Sequence, residues 1–333
     1  MLWKTIYGRK ELVRTLQEAI HADKVAHAYL FYGPEGIGKK TIAQVFATAL
    51  NCLDGQKGCG VCLSCRRAAA QIHPDIHYIE PDGKTIKIDQ VRRLKKYAYL
   101  KPRESRYQIF ILQQADTLTT EAANSLLKVL EEPPVGSIFL LLAENLSALL
   151  PTIRSRCQEF AVSRLDRESM AEFLRAQGRM TGEQIAEIMV WAEGIPGKAL
   201  ELTDSQARQQ LYQEAVAYLK ALAAGKGVSS LAAKLAETED LTAVLDAMIL
   251  ALRDLLILPA AGKHPEVLAG KGSLLCGQLT EKWHRSACLA AIPVLLKLQR
   301  DLQSPINVRL ALENAFWDLK EVYNRANSCG NSL

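Results

Sequence analysis

Seven residues, Gly33-Pro34-Glu35-Gly36-Ile37-Gly38-Lys39, stand between an apolar run and a helical pattern and leave the chain few folds to choose from. A G-x-x-x-x-G-K sequence in that setting brings backbone N–H groups, a helix N-terminus and an ammonium group together on phosphate. A glycine-rich turn that merely joins strand to helix is the plainer reading, and the strand-before, helix-after context argues against it. Three apolar runs, Ala28 to Gly33, Tyr107 to Gln113 and Ser137 to Ala143, are continuous in hydrophobicity, which is the pattern of parallel strands buried on both faces. Between them lie helical stretches at Lys40 to Leu50, Asp89 to Ala98 and Thr120 to Glu132, the last stopped by Pro133 and Pro134. Strand and helix in turn predict a doubly wound α/β domain with a parallel sheet.

The loop is intact, but its partners are not. The residue after Lys39 should be Ser or Thr to hold Mg²⁺ and is Lys40; Thr41 comes one residue late, about 100° further round a helix. The second core strand should end in two acids and ends in Gln113 and Gln114. A neutral amide neither balances a divalent cation nor accepts a proton at neutral pH. Hydrolysis is therefore not expected, whereas ATP binding stays open because Gly33, Gly36, Gly38 and Lys39 remain and Lys40 could stand in for a cation.

At 333 residues the chain has room for two or three domains. Residues 1–162 form the expected phosphate-loop domain, and strand signals cease after it. Residues 163–204 predict a small helical domain, with Ser163 or Asp166 as N-cap and Gly194 and Gly197 as breaks. Residues 205–333 predict long amphipathic helices, one capped by Asp240 with Leu241, Val244, Leu245, Met248, Leu252 and Leu255 on one face and Pro259 after its end. A similar face runs from Leu289 to Val322, bent or broken near Pro293 and Pro305, and the tail from Asn324 to Leu333 reads as frayed. These faces build a bundle core, and one left over could mediate oligomerisation. The net charge of +5 is small for this length. No leader or membrane-spanning run is read, so a cytoplasmic chain is expected.

Of eight cysteines, four crowd into Cys52, Cys59, Cys62 and Cys65. Four thiolates at C-x₆-C-x₂-C-x₂-C spacing suit a closed, structural Zn²⁺ site, with an iron–sulfur cluster as the rival. His73 and His77 read as loop or surface residues. The segment from Val91 to Tyr107 concentrates Arg92, Arg93, Lys95, Lys96, Lys101, Arg103 and Arg106, which on charge alone is a solvated helix face.

Taken in order, "VAHAYLFYGPEGIGKKTIAQVFATALNC", the four-cysteine insertion, "IDQVRRL", "AANSLLKVLEEPP" and "TIRSRCQEF" resemble the clamp-loader branch of the AAA+ proteins. The resemblance covers roughly the first 200 residues, and "INVRLALENAF" resembles the last helix of that family's collar. It implies an AAA+ domain with a zinc insertion, a helical lid over 163–204 and a collar over 205–333. It also implies a hetero-pentamer with delta and tau/gamma-type subunits that loads the beta sliding clamp onto primer-template DNA in replication by DNA polymerase III, a nucleotidyltransferase complex. In this family Ser155-Arg156-Cys157 presents Arg156 as an arginine finger to the ATP of the adjacent subunit, and such fingers are worth about 10³ to 10⁵ in rate. Without the resemblance, Arg156 is a surface arginine paired with Glu159. The polar sensor position falls at Ala143-Glu144, where an acid would repel phosphate, and the basic sensor of the lid is Lys198. Helices equivalent to the one bearing Arg92 and Arg93 lie near the DNA in this family. Two rivals remain: an ATP-hydrolysing motor subunit of the same family, and a zinc-module nucleic-acid binder outside replication.

Overall fold

A computed structural model describes residues 2–54, 57–178, 180–202, 205–225, 227–238, 240–258, 279, 283–302 and 306–329. Pro259, Pro305 and the last four residues of the tail, which carried expectations above, lie outside the described residues. Two compact units are formed, Met1–Gln177 with Gly194–Lys198, and Gly178–Glu193 with Ala199–Leu333. The segment 163–204 is therefore distributed over both.

In the first unit, five parallel strands, β1 (Ala28–Tyr32), β2 (Ile76–Ile79), β3 (Gln108–Leu112), β4 (Ser137–Ala143) and β5 (Gln158–Ala161), lie in the order β2-β3-β4-β1-β5. Registers such as Leu30 beside Leu141 and Ile111 beside Leu140 put the most apolar strands in the middle. Alternate side chains serve opposite faces of the sheet. Tyr29, Phe31, Ile109, Ile111 and Leu140 fill one core with Phe46; Leu30, Phe110, Leu112, Phe139 and Leu141 fill the other with Leu126. β3 and β4 are buried throughout, as continuous hydrophobicity required. β2 and β5 escape the sequence reading because they are short and mostly half-buried or exposed.

The helices of this unit are α1 (Lys10–His21), α2 (Lys39–Leu50), α3 (Leu63–Ala69), α4 (Ile88–Ala98), α5 (Thr120–Glu131), α6 (Pro151–Arg154) and α7 (Arg167–Gln177). Helix α5 begins where Thr119 accepts the Ala122 N–H and ends before the paired prolines. Of the two caps offered for α7, Asp166 is the one used, accepting the Ser169 N–H at 2.7 Å.

The described helices of the second unit are α8 (Gly182–Ala192), α10 (Ser205–Ala223), α11 (Val228–Ala236), α12 (Leu241–Ile257), α13 (Arg285–Asp301) and α14 (Val308–Cys329); α9 (Pro196–Glu201) starts in the first unit and ends in the second. Gly197 lies inside α9, so only Gly194 acts as the expected break. Asp240 caps α12 as its sequence requires. Val244, Leu245, Met248, Leu252 and Leu255 are buried with Trp283, Leu295 and Phe316. Helix α13 runs on through Pro293. Its buried face is Ala287, Cys288, Ala291, Leu295 and Leu298, while Leu289 is 56% exposed, so the apolar stripe starts two residues earlier than expected. Among the described residues no helix is long and apolar enough to cross a membrane.

Candidate functional site

All five strands are parallel, so their carboxyl ends share one edge, where open α/β sheets keep their ligands. Gly33 leaves β1, and a Cβ there would stand 2.6 Å from the Val162 carbonyl oxygen beyond β5. Gly38, in the left-handed region at φ +101°, starts α2. Lys39 folds back on its own loop, donating from Nζ to the carbonyls of Gly33 (2.6 Å) and Pro34 (2.8 Å). Burial lowers its pKa, against the opposing pull of Glu144, Asp116 and Glu35. Glu144, at the end of β4, has its pKa raised by burial, which outweighs the attraction of Lys39.

Lys40, in the first turn of α2, places its Nζ 3.4 Å from a Glu80 carboxylate oxygen at the end of β2. Gln113 Nε2 donates to the same Glu80 oxygen. An ammonium group, a carboxylate and an amide thus satisfy one another at the carboxyl ends of β2 and β3. Thr41 is exposed, and Gln114 is exposed in a left-handed conformation at φ +50°. Asp116 orders the turn after β4 by accepting the N–H groups of Glu144 (3.2 Å) and Asn145 (3.0 Å). Glu80 and Asp116 were missed by sequence reasoning, since neither has a local signal: each is tied to the loop through a different strand.

Two further locks close on the loop. Arg9, 8% exposed, donates to the Ile37 carbonyl (2.6 Å) and the Ser163 carbonyl (3.1 Å), and burial lowers its pKa to about 10. The Gly197 N–H donates to the Gly36 carbonyl at 2.8 Å, and a Cβ on Gly197 would stand 2.6 Å from Gly36 Cα. Only two residues without side chains allow that approach.

Arg156 follows α6 at the surface. It donates to the Thr152 carbonyl (2.9 Å) and pairs with Glu131 of α5 (2.8 Å). Glu159, its expected surface partner, is taken by Arg154 at 2.9 Å. Ser155 donates to the Thr152 carbonyl, and burial pushes the Cys157 thiol up to about 12, which makes it inert at neutral pH.

The Sγ atoms of Cys52, Cys59, Cys62 and Cys65 lie within 4.8 Å of one another, with Cys52–Cys62 at 4.0 Å and Cys59–Cys65 at 3.9 Å. Tetrahedral zinc with bonds of 2.3 Å calls for sulfur–sulfur separations of about 3.8 Å. Backbone N–H groups of Val61 and Cys62 donate to Cys59 Sγ, and that of Cys65 to Cys62 Sγ. Burial would raise the Cys62 thiol, but hydrogen bonds led by the Cys65 N–H bring it down to about 6. The donor set fits a closed zinc site, whose role would be to cross-link the chain. His73 lies in a loop, as expected, but is buried and hydrogen-bonded there, and His77 is a half-buried residue of β2.

Helix α4 turns Arg92, Arg93 and Lys96 to solvent, and with Asp89 and Lys95 they line an open cavity of about 380 Å³. Arg92 is paired with Asp89 at 3.1 Å.

Residues 8–166 match the family described as DNA polymerase III, delta subunit. The chain is 37% identical to DNA polymerase III subunit delta' of Pseudomonas aeruginosa over 193 residues, 56% of this chain and 59% of that protein. It is 33% identical to DNA polymerase III subunit gamma/tau of Mycobacterium tuberculosis over 207 residues, 60% of this chain and 36% of that protein. It therefore spans between about a third and six-tenths of these relatives' lengths. Among solved structures, a gamma subunit-related protein of Thermotoga maritima aligns over 92% of this chain and 99% of that one, at 19% identity and a TM-score of 0.47.

Proposed function

We propose that this chain, whose residues 8–166 match the family described as DNA polymerase III, delta subunit, is a delta-prime subunit of the clamp loader that holds its place in the loader without hydrolysing ATP. With delta and tau/gamma subunits it helps place the beta sliding clamp on primed DNA in the cytoplasm. The observation that carries the reading is the Lys40–Glu80–Gln113 network: a resident ammonium group is bonded where a motor needs Mg²⁺, and Gln114 supplies no base. Similarity extends to gamma/tau motors as well, and it is Lys40, Gln113 and Gln114 that speak against the motor reading. In this reading residues 163–204 serve as a lid, residues 205–333 as a collar, the four cysteines hold structural zinc, and Arg156 acts on the ATP of a neighbouring subunit.

The test is reconstitution with delta and tau/gamma subunits, clamp and primed DNA. The isolated chain is expected to show no ATPase above background, and clamp loading to require it. Turnover by the isolated chain would make it a motor; clamp loading that proceeds equally well without it would remove it from the loader.

Arg92 and Arg93 are read as phosphate contacts of the assembled complex. Reversing both charges should lower the steepness of log affinity against log salt by about 1.8, the release expected for two duplex phosphates. An unchanged slope would return α4 to an ordinary solvated face.

A further inference from the structure

Two neighbours of the cysteine ligands bond away from the thiols. Asn51, 2% exposed and next to Cys52, grips Tyr107 by both backbone groups: Nδ2 donates to the Tyr107 carbonyl (2.9 Å) and Oδ1 accepts its N–H (3.1 Å). Ser64, next to Cys65, donates to the Asn51 carbonyl (2.6 Å) and lies 3.1 Å from His73 Nε2. His73 Nδ1 accepts the Asp75 N–H (3.1 Å), so the proton of the neutral ring is on Nε2, shared between Ser64 Oγ and Ser105 Oγ at 3.1 Å each. A ring that donates toward Ser64 cannot take its proton, which excludes a nucleophilic serine here.

Asp75, fully buried, continues the relay. Its carboxylate accepts the N–H groups of Arg103 (2.7 Å) and Glu104 (2.9 Å). Arg67 of α3 pairs with the Glu104 side chain. The segment between α4 and β3 is thus fastened from two directions: Tyr107 from the end of α2, and Arg103 to Ser105 through α3 and the turn after it. The two arms differ in what holds them. Helix α2 has 12 residues and a buried face, whereas α3 has seven and Cys62 as its N-cap, too short to persist in water without the cluster.

We propose that metal occupancy of the four-cysteine cluster sets the conformation of residues 103–105 through Ser64, Arg67, His73 and Asp75, so that the metal governs the placement of the Arg103 cation. The proposal needs nothing from the clamp-loader reading. Its test is residue-resolved amide hydrogen exchange on the full chain, zinc-loaded and chelated, with metal content measured on the same samples. The Arg103 and Glu104 amides should exchange about tenfold faster or more on metal removal, as hydrogen-bonded partners are lost. Tyr107 and α5 should not change. Unchanged exchange at 103 and 104 in a chelated chain overturns the proposal. Should chelation loosen the whole unit, zinc-bound Ser64→Ala decides: faster exchange at 103–105 with full metal content supports the relay, and unaltered exchange overturns it.

Discussion

Arg156→Ala should leave the reconstituted complex assembled and slow ATP hydrolysis at the adjoining motor site by about 10³-fold or more. A guanidinium group supplied across a subunit boundary stabilises charge on the transferred phosphoryl group, and a factor of 10³ corresponds to about 4 kcal/mol. In the free chain that group rests on Glu131, with the two side chains 33% and 48% exposed. A solvent-exposed pair of this kind is worth about 1 kcal/mol at most, so releasing Arg156 costs far less than it returns. Arg156→Lys should recover little, because a point charge cannot reproduce the planar, forked donor. The measurement is single-turnover hydrolysis in complexes whose subunit content is verified by mass. Wild-type rates in the alanine variant would show that Arg156 is only a surface partner of Glu131.

The second large effect concerns the metal. Wild-type chain should carry one zinc, and Cys62→Ser should lose it together with about 4 kcal/mol or more of stability in the first unit. The cost is high because a closed thiolate site contributes folding energy directly. Here it also supports α3, whose cap is the Cys62 side chain itself. Elemental analysis paired with denaturant unfolding reads both quantities. A variant with full metal content and an unshifted midpoint would remove Cys62 from the ligand set; a metal-free variant with an unshifted midpoint would make the site incidental to folding.

The central sheet was legible because β1, β3 and β4 are continuous apolar runs apart from Gln108 and Ser137 at the starts of β3 and β4, a pattern that a doubly covered strand requires. The cysteine cluster was legible because ligand spacing is written along the chain. What stayed hidden is what depends on strands meeting. Nothing near Glu80 announces that it will neutralise Lys40, and nothing near Glu131 announces Arg156. Asp116 has no local sign that it will brace the turn after β4. The loop position of His73 was legible but its burial was not, because only the tertiary fold surrounds it with two serines and Asp75. The offset in α13 has a plainer cause, since small Ala287, Cys288 and Ala291 carry the contact there and leave the larger Leu289 outside.

The seam between Gly36 and Gly197 is specified by what is missing. Its hydrogen bond runs from main chain to main chain, so no side-chain chemistry encodes it, and substitutions at Pro34, Glu35 or Ile37 leave its donor and acceptor in place. Two bare α-carbons bear the whole specification, and a single methyl at position 197 would collide with one of them. Such a junction is robust to drift almost everywhere and brittle at two points. That is the mutational signature of a junction built from backbone alone.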